Sequence, residues 1–249
     1  MNYKSRISIK IAGAFALISL CLTQPVKSQI PGTEIFNAPP PPPDINAPGN
    51  RTAGGKRGCE NMQKQLAASQ EKLLTALVPV YQSPNAELVF GLTTISHPTF
   101  WFYIPYKTTD TAEFVLQNQE GQTVYQSPVS LSGTPGVVSL SLPSTAASLK
   151  IGNRYHWYFN IYCNPQQPPV FVDGWIKRVE PNTVLKTQLE KATPNQRVAL
   201  YATHGIWYDL VAASGELRRL DPKDNNWANI LQSIGLNDIA SEPIVDCCR

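Results

Sequence analysis

A mainly-β α+β fold, an immunoglobulin-like sandwich followed by a small C-terminal helical region, is what this sequence predicts. Three observations point there. Between Glu87 and Val179 strand-like runs recur at intervals of roughly ten residues, the rhythm of a sandwich or barrel rather than of a βαβ fold. Within Arg154 to Val179, RYHWYFNIYCNPQQPPVFVDGWIKRV, apolar and polar residues alternate as they do on a half-buried strand. After Pro181 the apolar period lengthens to three and four, the spacing of amphipathic helices.

Taken in order, residues 1–28 read as a secretory signal. Lys4, Arg6 and Lys10 precede an uncharged apolar run from Ile11 to Leu22, and Val26-Lys27-Ser28 suits a signal peptidase. The apolar run is about half of the ~20 residues that a bilayer span needs. Leu20 before Cys21 is too large for lipoprotein processing. The whole chain of 249 residues carries 21 Lys plus Arg against 18 Asp plus Glu, but four of the basic residues lie in this segment. The mature form, with 17 basic against 18 acidic residues, is therefore close to neutral. The pI of about 8.5 belongs largely to the leader. Overall charge thus gives no support for a nucleic-acid or anionic-lipid surface, and no membrane span is expected after the signal is removed.

Residues 29–58 are rich in Pro, Gly and Asn and hold the unbroken run Pro39 to Pro43, which predicts an extended, disordered linker. Arg51, Lys56 and Arg57 form its one basic cluster, expected to be solvated. From Glu60 to Val78, Met62, Leu66, Leu73, Leu74 and Leu77 fall at helical spacing and Pro79 closes the pattern, which predicts a short helix at the start of a sandwich domain spanning 59–180.

Seven strands are expected in that domain: Glu87 to Leu92, Thr99 to Tyr106, Ala112 to Gln117, Thr123 to Val129, Gly136 to Leu142, Tyr155 to Cys163 and Val170 to Val179. Asn118 to Gly121 reads as a tight hairpin whose Gly121 takes the positive φ such turns require. Gly174 inside its strand suggests a bulge, either functional or one that only bends the sheet. On the sixth strand Tyr155, Trp157, Phe159, Ile161 and Cys163 share one face, with His156, Tyr158, Asn160 and Tyr162 on the other. On the second, Trp101 and Tyr103 oppose Phe100, Phe102 and Ile104. A strand that is bulky on both sides must be covered twice, once by the facing sheet and once by something else.

Residues 181–249 supply the candidate cover. Val184, Leu185 and Leu189, then Val198, Ala199, Tyr201 and Ala202, then Ile206, Trp207, Leu210 and Val211 predict helices separated by Pro194, Gly205, Gly215 and Pro222. A last helix from Asn226 to Ile234 presents Trp227, Ile230, Leu231 and Ile234 and ends at Gly235. No fixed-period repeat is present, so a helical appendage on the sandwich is preferred to a solenoid.

Four cysteines remain after the leader: Cys59, Cys163, Cys247 and Cys248. An even number outside the cytosol suggests disulfides, and four cysteines allow three connectivities. Cys59 to Cys163 is the expected pair, worth on the order of 4–5 kcal/mol in the chain-entropy model. Cys247 and Cys248 are left open between a vicinal ring, free thiols and a cross-link between chains. Neither the cysteines nor the three His show metal-ligand spacing, so no metal and no cofactor are expected.

The runs LTALVP, HPTFWFYIPY, AEFVLQNQEG, GVVSLSLP, RYHWYFNIYC, VFVDGWIKRV and IWYDLVA resemble the exported cyanobacterial domain-of-unknown-function 928 family. The resemblance covers about Cys59 to the C-terminal helices. It implies a signal peptide, a β-rich middle, a helical end and a role at the cell surface, and it carries over no activity or catalytic residue.

Nucleophile-elbow, Walker, dinucleotide, EF-hand and HExxH patterns are missing from the sequence. The expected function is therefore that of a non-catalytic interaction module in the periplasm or at the cell surface, with an envelope or secreted protein as partner and no nucleic acid. Trp101, Tyr103, His156, Tyr158 and Tyr162 are its candidate binding residues. One alternative is a carbohydrate-binding module that stacks sugars on Trp101, Tyr103, Tyr158 and Tyr162. The other is a hydrolase with a dispersed site around His97, His156 and Asp173.

Overall fold

The computed structural model describes residues 36–43, 48–54, 72–83, 86–107, 111–163 and 166–247. The chain divides into Met1–Pro31 and Gly32–Arg249, and every described residue lies in the second unit. The expected signal segment and the Lys56-Arg57 part of the basic cluster fall outside the described residues.

Among the described residues nine strands form two sheets and four helices follow. The strands are β1 (Thr75–Ala76), β2 (Val80–Ser83), β3 (Ala86–Thr93), β4 (Thr99–Ile104), β5 (Thr111–Gln117), β6 (Thr123–Ser130), β7 (Gly136–Ser141), β8 (Arg154–Tyr162) and β9 (Val170–Arg178). A six-stranded sheet has the order β2-β3-β9-β8-β5-β6, and a three-stranded sheet the order β1-β4-β7. All seven expected strands are present and the core is sandwich-like. The immunoglobulin-like arrangement is not confirmed: β3 and β9 run parallel in the middle of the larger sheet, and the split is six and three where a constant-type domain has four and three, all antiparallel.

Both faces of β4 are covered, as its alternation requires. Phe100 packs on Phe114 with ring centroids 4.7 Å apart, and Phe102 stacks on Phe159 at 4.3 Å, closing the layer between the sheets. Gly174 lies opposite Trp157 in an uninterrupted β8–β9 register, so it is not a bulge. A Cβ there would meet the Trp157 ring at 2.6 Å, so the missing side chain makes room for the indole. The irregularity in this sheet lies instead between Leu116 and Gln117. Next to it the expected hairpin forms, with Gly121 at φ 75° and its N–H donating to the Asn118 carbonyl at 3.0 Å.

The other side of β4 is roofed by helices. These are α1 (Thr183–Lys191), α2 (Pro194–Thr203), α3 (Trp207–Leu220) and α4 (Asn225–Ser233). Their starts are set by side chains that satisfy the first free N–H groups: Asn182 accepts from Leu185 N–H, Thr193 and Gln196 form a capping box with Pro194 behind them, and Asp224 accepts from Asn226 N–H. Trp101 meets Trp227 of α4 at 5.3 Å, and α3 lies so close that a Cβ on Gly215 would touch the Trp101 ring at 2.3 Å. Trp207 Nε1 donates to the Leu77 carbonyl at 2.7 Å, Trp157 Nε1 donates to the Tyr208 hydroxyl at 2.7 Å, and that hydroxyl donates to the Trp175 carbonyl.

Asp209, buried in the first turn of α3, bolts the roof to the sheet. Its carboxylate accepts from the hydroxyls of Thr93 and Thr94 and from Thr94 N–H at 3.0 Å. Burial pushes its pKa up, against the opposing pull of those donors and of Arg178. The helix α1 is covered least: of its expected stripe only Leu185 is buried, while Val184 is exposed.

Two expectations are corrected here. The helix expected over Glu60 to Val78 lies outside the described residues up to 71, and its remainder holds the strand β1 and no helix. Leu74 to Val78 are all buried, and β1 within them pairs with β4. A run enclosed on every side has no polar face, so its leucines do not imply a helical stripe. The described parts of 29–58 also belong to the fold instead of forming a linker. Phe36 packs edge-on against Trp207 at 4.8 Å, and Asn37 N–H donates to the Ala202 carbonyl at 3.0 Å. Asn50 bridges to Asp173 of the large sheet and Thr52 to Thr75 of the small one, so residues 48–54 lace the two sheets together. Arg51 of the basic cluster donates from Nη1 to the Ile234 carbonyl at 2.8 Å.

Candidate functional site

Among the described residues, the β5–β8–β9 part of the large sheet's outer face is an aromatic surface that the helices do not cover. In a pleated strand alternate side chains share a face, and residues paired across strands share a row. The β5–β8–β9 register therefore builds three rows on this face: Gln117, His156 and Trp175; Val115, Tyr158 and Asp173; Glu113, Asn160 and Phe171. Tyr162 extends the last of these along β8. Tyr162 and Phe171 are 36% and 40% exposed, and Tyr158 and Asn160 are half-buried. Glu113 ties the open end together: its Oε2 accepts from the Tyr162 hydroxyl at 3.1 Å and its Oε1 from Gln126 Nε2 at 2.7 Å.

At the closed end the same face holds a buried polar chain. His156 Nε2 is 2.7 Å from Asp173 Oδ2, and its Nδ1 is 2.9 Å from the Tyr158 hydroxyl. A carboxylate only accepts, so Nε2 donates to Asp173, and in the neutral imidazole Nδ1 is left to accept from the Tyr158 hydroxyl. Asp173 Oδ1 takes the Asn50 backbone N–H at 2.9 Å and its Nδ2 at 2.7 Å. The imidazole lies flat against Trp175, centroids 4.3 Å apart and planes 13° apart. Acid, imidazole and hydroxyl in series resemble the orienting half of a nucleophile relay. The terminal group is nevertheless a phenol whose pKa is pushed up, first by burial and then by the charge of Asp173. That shift opposes the ionisation a nucleophile needs. The Tyr162 phenol is raised as well, by burial and then by its hydrogen bond to Glu113 and that residue's charge.

The expected site residues are thus divided. Tyr158 and Tyr162 lie on the open face, and His156 lies behind them, only 7% exposed. Trp101 and Tyr103, at 1% and 5% exposure, are not on that face at all; the roof buries Trp101, and Tyr103 lies on the same side of β4. Burial raises the Tyr103 phenol to about 12, with Glu242 and Asp238 adding to it. Among the hydrolase candidates, His156 and Asp173 are brought together. The ring nitrogens of His97 are engaged elsewhere, Nδ1 with the Ser96 hydroxyl and Nε2 with the Ala146 carbonyl. Cys163 follows β8 half-buried, and Cys59, its expected partner, lies outside the described residues.

Phe171, Glu113, Gln126 and Asn50 were not singled out by the sequence. Phe171 was legible, because it stands between Val170 and Val172 and must face away from both. Asn50 was not, since nothing local in a Pro- and Gly-rich segment announces a partner 123 residues away.

Other candidate sites carry less chemistry. An apolar groove of about 740 Å³ between α1 and α2 is lined by Val184, Ala199 and Leu200, with Lys191 its one charged residue. Among the described residues no group of three or more His, Cys, Asp or Glu could hold a metal ion. Among them, too, no helix is long and apolar enough to cross a membrane.

A fold of this construction, a β-sandwich roofed by helices with an open aromatic strip on its large sheet, defines the class. The chain belongs to the family described as Domain of Unknown Function (DUF928), whose model matches residues 52–244 and so takes in both sheets and all four helices. No curated protein matches the chain.

Proposed function

We propose that this protein is an exported, non-catalytic binding module of the periplasm or cell surface, and that it binds through the open strip of β5, β8 and β9. One observation carries the reading: among the described residues the helices bury the aromatic surface on β4 and leave the one on β8 and β9 open. Exposed rings beside fixed polar groups are the usual anatomy of a recognition surface. The clasp of His156, Asp173 and Asn50 stiffens that strip from one end.

The test is sedimentation with isolated envelope fragments, comparing the full chain with a Tyr162→Ala/Phe171→Ala variant. Both side chains are exposed, so the variant should melt with the wild type. The wild type should pellet with the fragments and the variant should bind about tenfold more weakly, a loss equivalent to about 1.4 kcal/mol. Equal binding by both, or by neither, would remove the strip from consideration.

A second reading rests on the His156–Asp173–Tyr158 series and makes the protein a hydrolase. A screen of ester, glycoside and peptide substrates, with His156→Ala as control, tests it. Turnover that disappears in the variant would establish it over the binding reading.

A further inference from the structure

We infer that the ligand of the open strip is a neutral, hydroxyl-rich polysaccharide, its sugar rings stacked on Tyr162, Phe171 and Tyr158. This rests on the reading of the strip as the binding face and gives that face a chemical class of ligand.

The spacing of the rings suits a sugar chain. Tyr158 and Tyr162 are four residues apart on one face of β8, which separates them by about 13 Å along the strand. Phe171 lies across from Asn160, midway between them. Three rings therefore surround one amide on a surface with the gentle twist of a sheet. A pyranose has an apolar C–H face and a rim of hydroxyls: the face stacks on an aromatic ring and the rim needs neighbouring donors and acceptors. Asn160, Gln126 and Glu113 stand where that rim would fall.

Charge and rigidity point the same way. Among the described residues Glu113 is the one carboxylate in the open part of the strip, so a polymer bearing phosphates or carboxylates would meet repulsion there. Both oxygens of Glu113 already accept hydrogen bonds, from Gln126 and from Tyr162. The polar groups are thus held before a ligand arrives, which lowers the ordering cost of binding. A protein partner fits less well: a stable interface wants about 800 Å² per partner with an apolar centre, whereas the aliphatic contribution between these rings comes from Val115.

The experiment is native electrophoresis of the full chain in gels cast with a neutral β-glucan, a neutral α-glucan, a galactomannan or anionic alginate. Retardation by at least one neutral polymer is expected, with about tenfold weaker affinity for Tyr162→Ala and for Phe171→Ala and no retardation by alginate. Trp101→Phe, a change beneath the roof, should bind as the wild type does if it melts at a similar temperature. No retardation by any neutral polymer, retardation unaffected by the two face variants, or retardation by alginate alone would each overturn the inference. If envelope sedimentation still depends on Tyr162 and Phe171 while every neutral polymer fails, the strip remains the binding face and its ligand is a protein or a charged polymer. If sedimentation is also indifferent to those residues, both readings fall.

Discussion

Asp209 shows how a single residue couples the two halves of the molecule. Its carboxylate is buried at the first turn of α3 and reaches the end of β3, where Thr93 and Thr94 supply three donors. Replacing it with Ala would leave those donors unpaired, one buried at Thr93 and two part-buried at Thr94, at a cost of about 3 kcal/mol. The pH dependence follows from the direction of its shift. An acid whose pKa is raised in the fold holds its proton more tightly there than in the unfolded chain. Its contribution is therefore fully present below the unfolded value of 3.8 and is lost as pH rises through the folded value. Asp209→Asn does not ionise, so its melting temperature relative to wild type should rise between pH 4 and pH 7. A constant difference across that range, measured by thermal unfolding, would contradict the raised pKa. The sequence disclosed none of this: Asp209 stands between Tyr208 and Leu210 in an apolar helix, where an acid reads as solvent-facing.

At the level of elements, strands were the more legible because their two-residue period shows within a few residues. The seven strands from β3 to β9 could be read from alternation, and the helices from breaks such as Pro194 and from stripes such as Trp227, Ile230 and Leu231. Proline-rich composition misled for 36–43 and 48–54. Five consecutive prolines argue against a core of their own, but they do not prevent an extended segment from lying on a core built by others. Phe36 and the bridges of Asn50 and Thr52 anchor that segment over the sandwich. Phe36→Ala should therefore loosen the strap before the sandwich. Limited proteolysis followed by mass spectrometry should show cleavage within residues 36–54 of the variant while residues 86–247 stay intact, and cleavage spread evenly through both would show that the strap is not a separate layer.

At the level of the whole molecule, two sheets and a helical roof sort the large aromatic residues into a buried set and an open set. Sequence periodicity gave the faces of β4 and β8 but not which of them the helices would cover, because that depends on how α3 and α4 pack and not on any local pattern. Export and the proposed Cys59–Cys163 disulfide belong to this scale as well. If that bridge forms, Cys59→Ser should lower the melting temperature under oxidising conditions and leave it unchanged in reductant, a loss of about 4–5 kcal/mol in the chain-entropy model. Equal melting of variant and wild type under oxidising conditions would count against the pair. The division of the aromatic residues is reached most directly by hydroxyl-radical footprinting of the native chain, read residue by residue by mass spectrometry. Tyr162 and Phe171 should be oxidised rapidly while Trp101, Tyr103 and Trp227 remain protected until the chain unfolds; modification of Trp101 and Tyr103 at rates matching Tyr162 would mean that the roof does not close over β4 and that the binding face has been assigned to the wrong side.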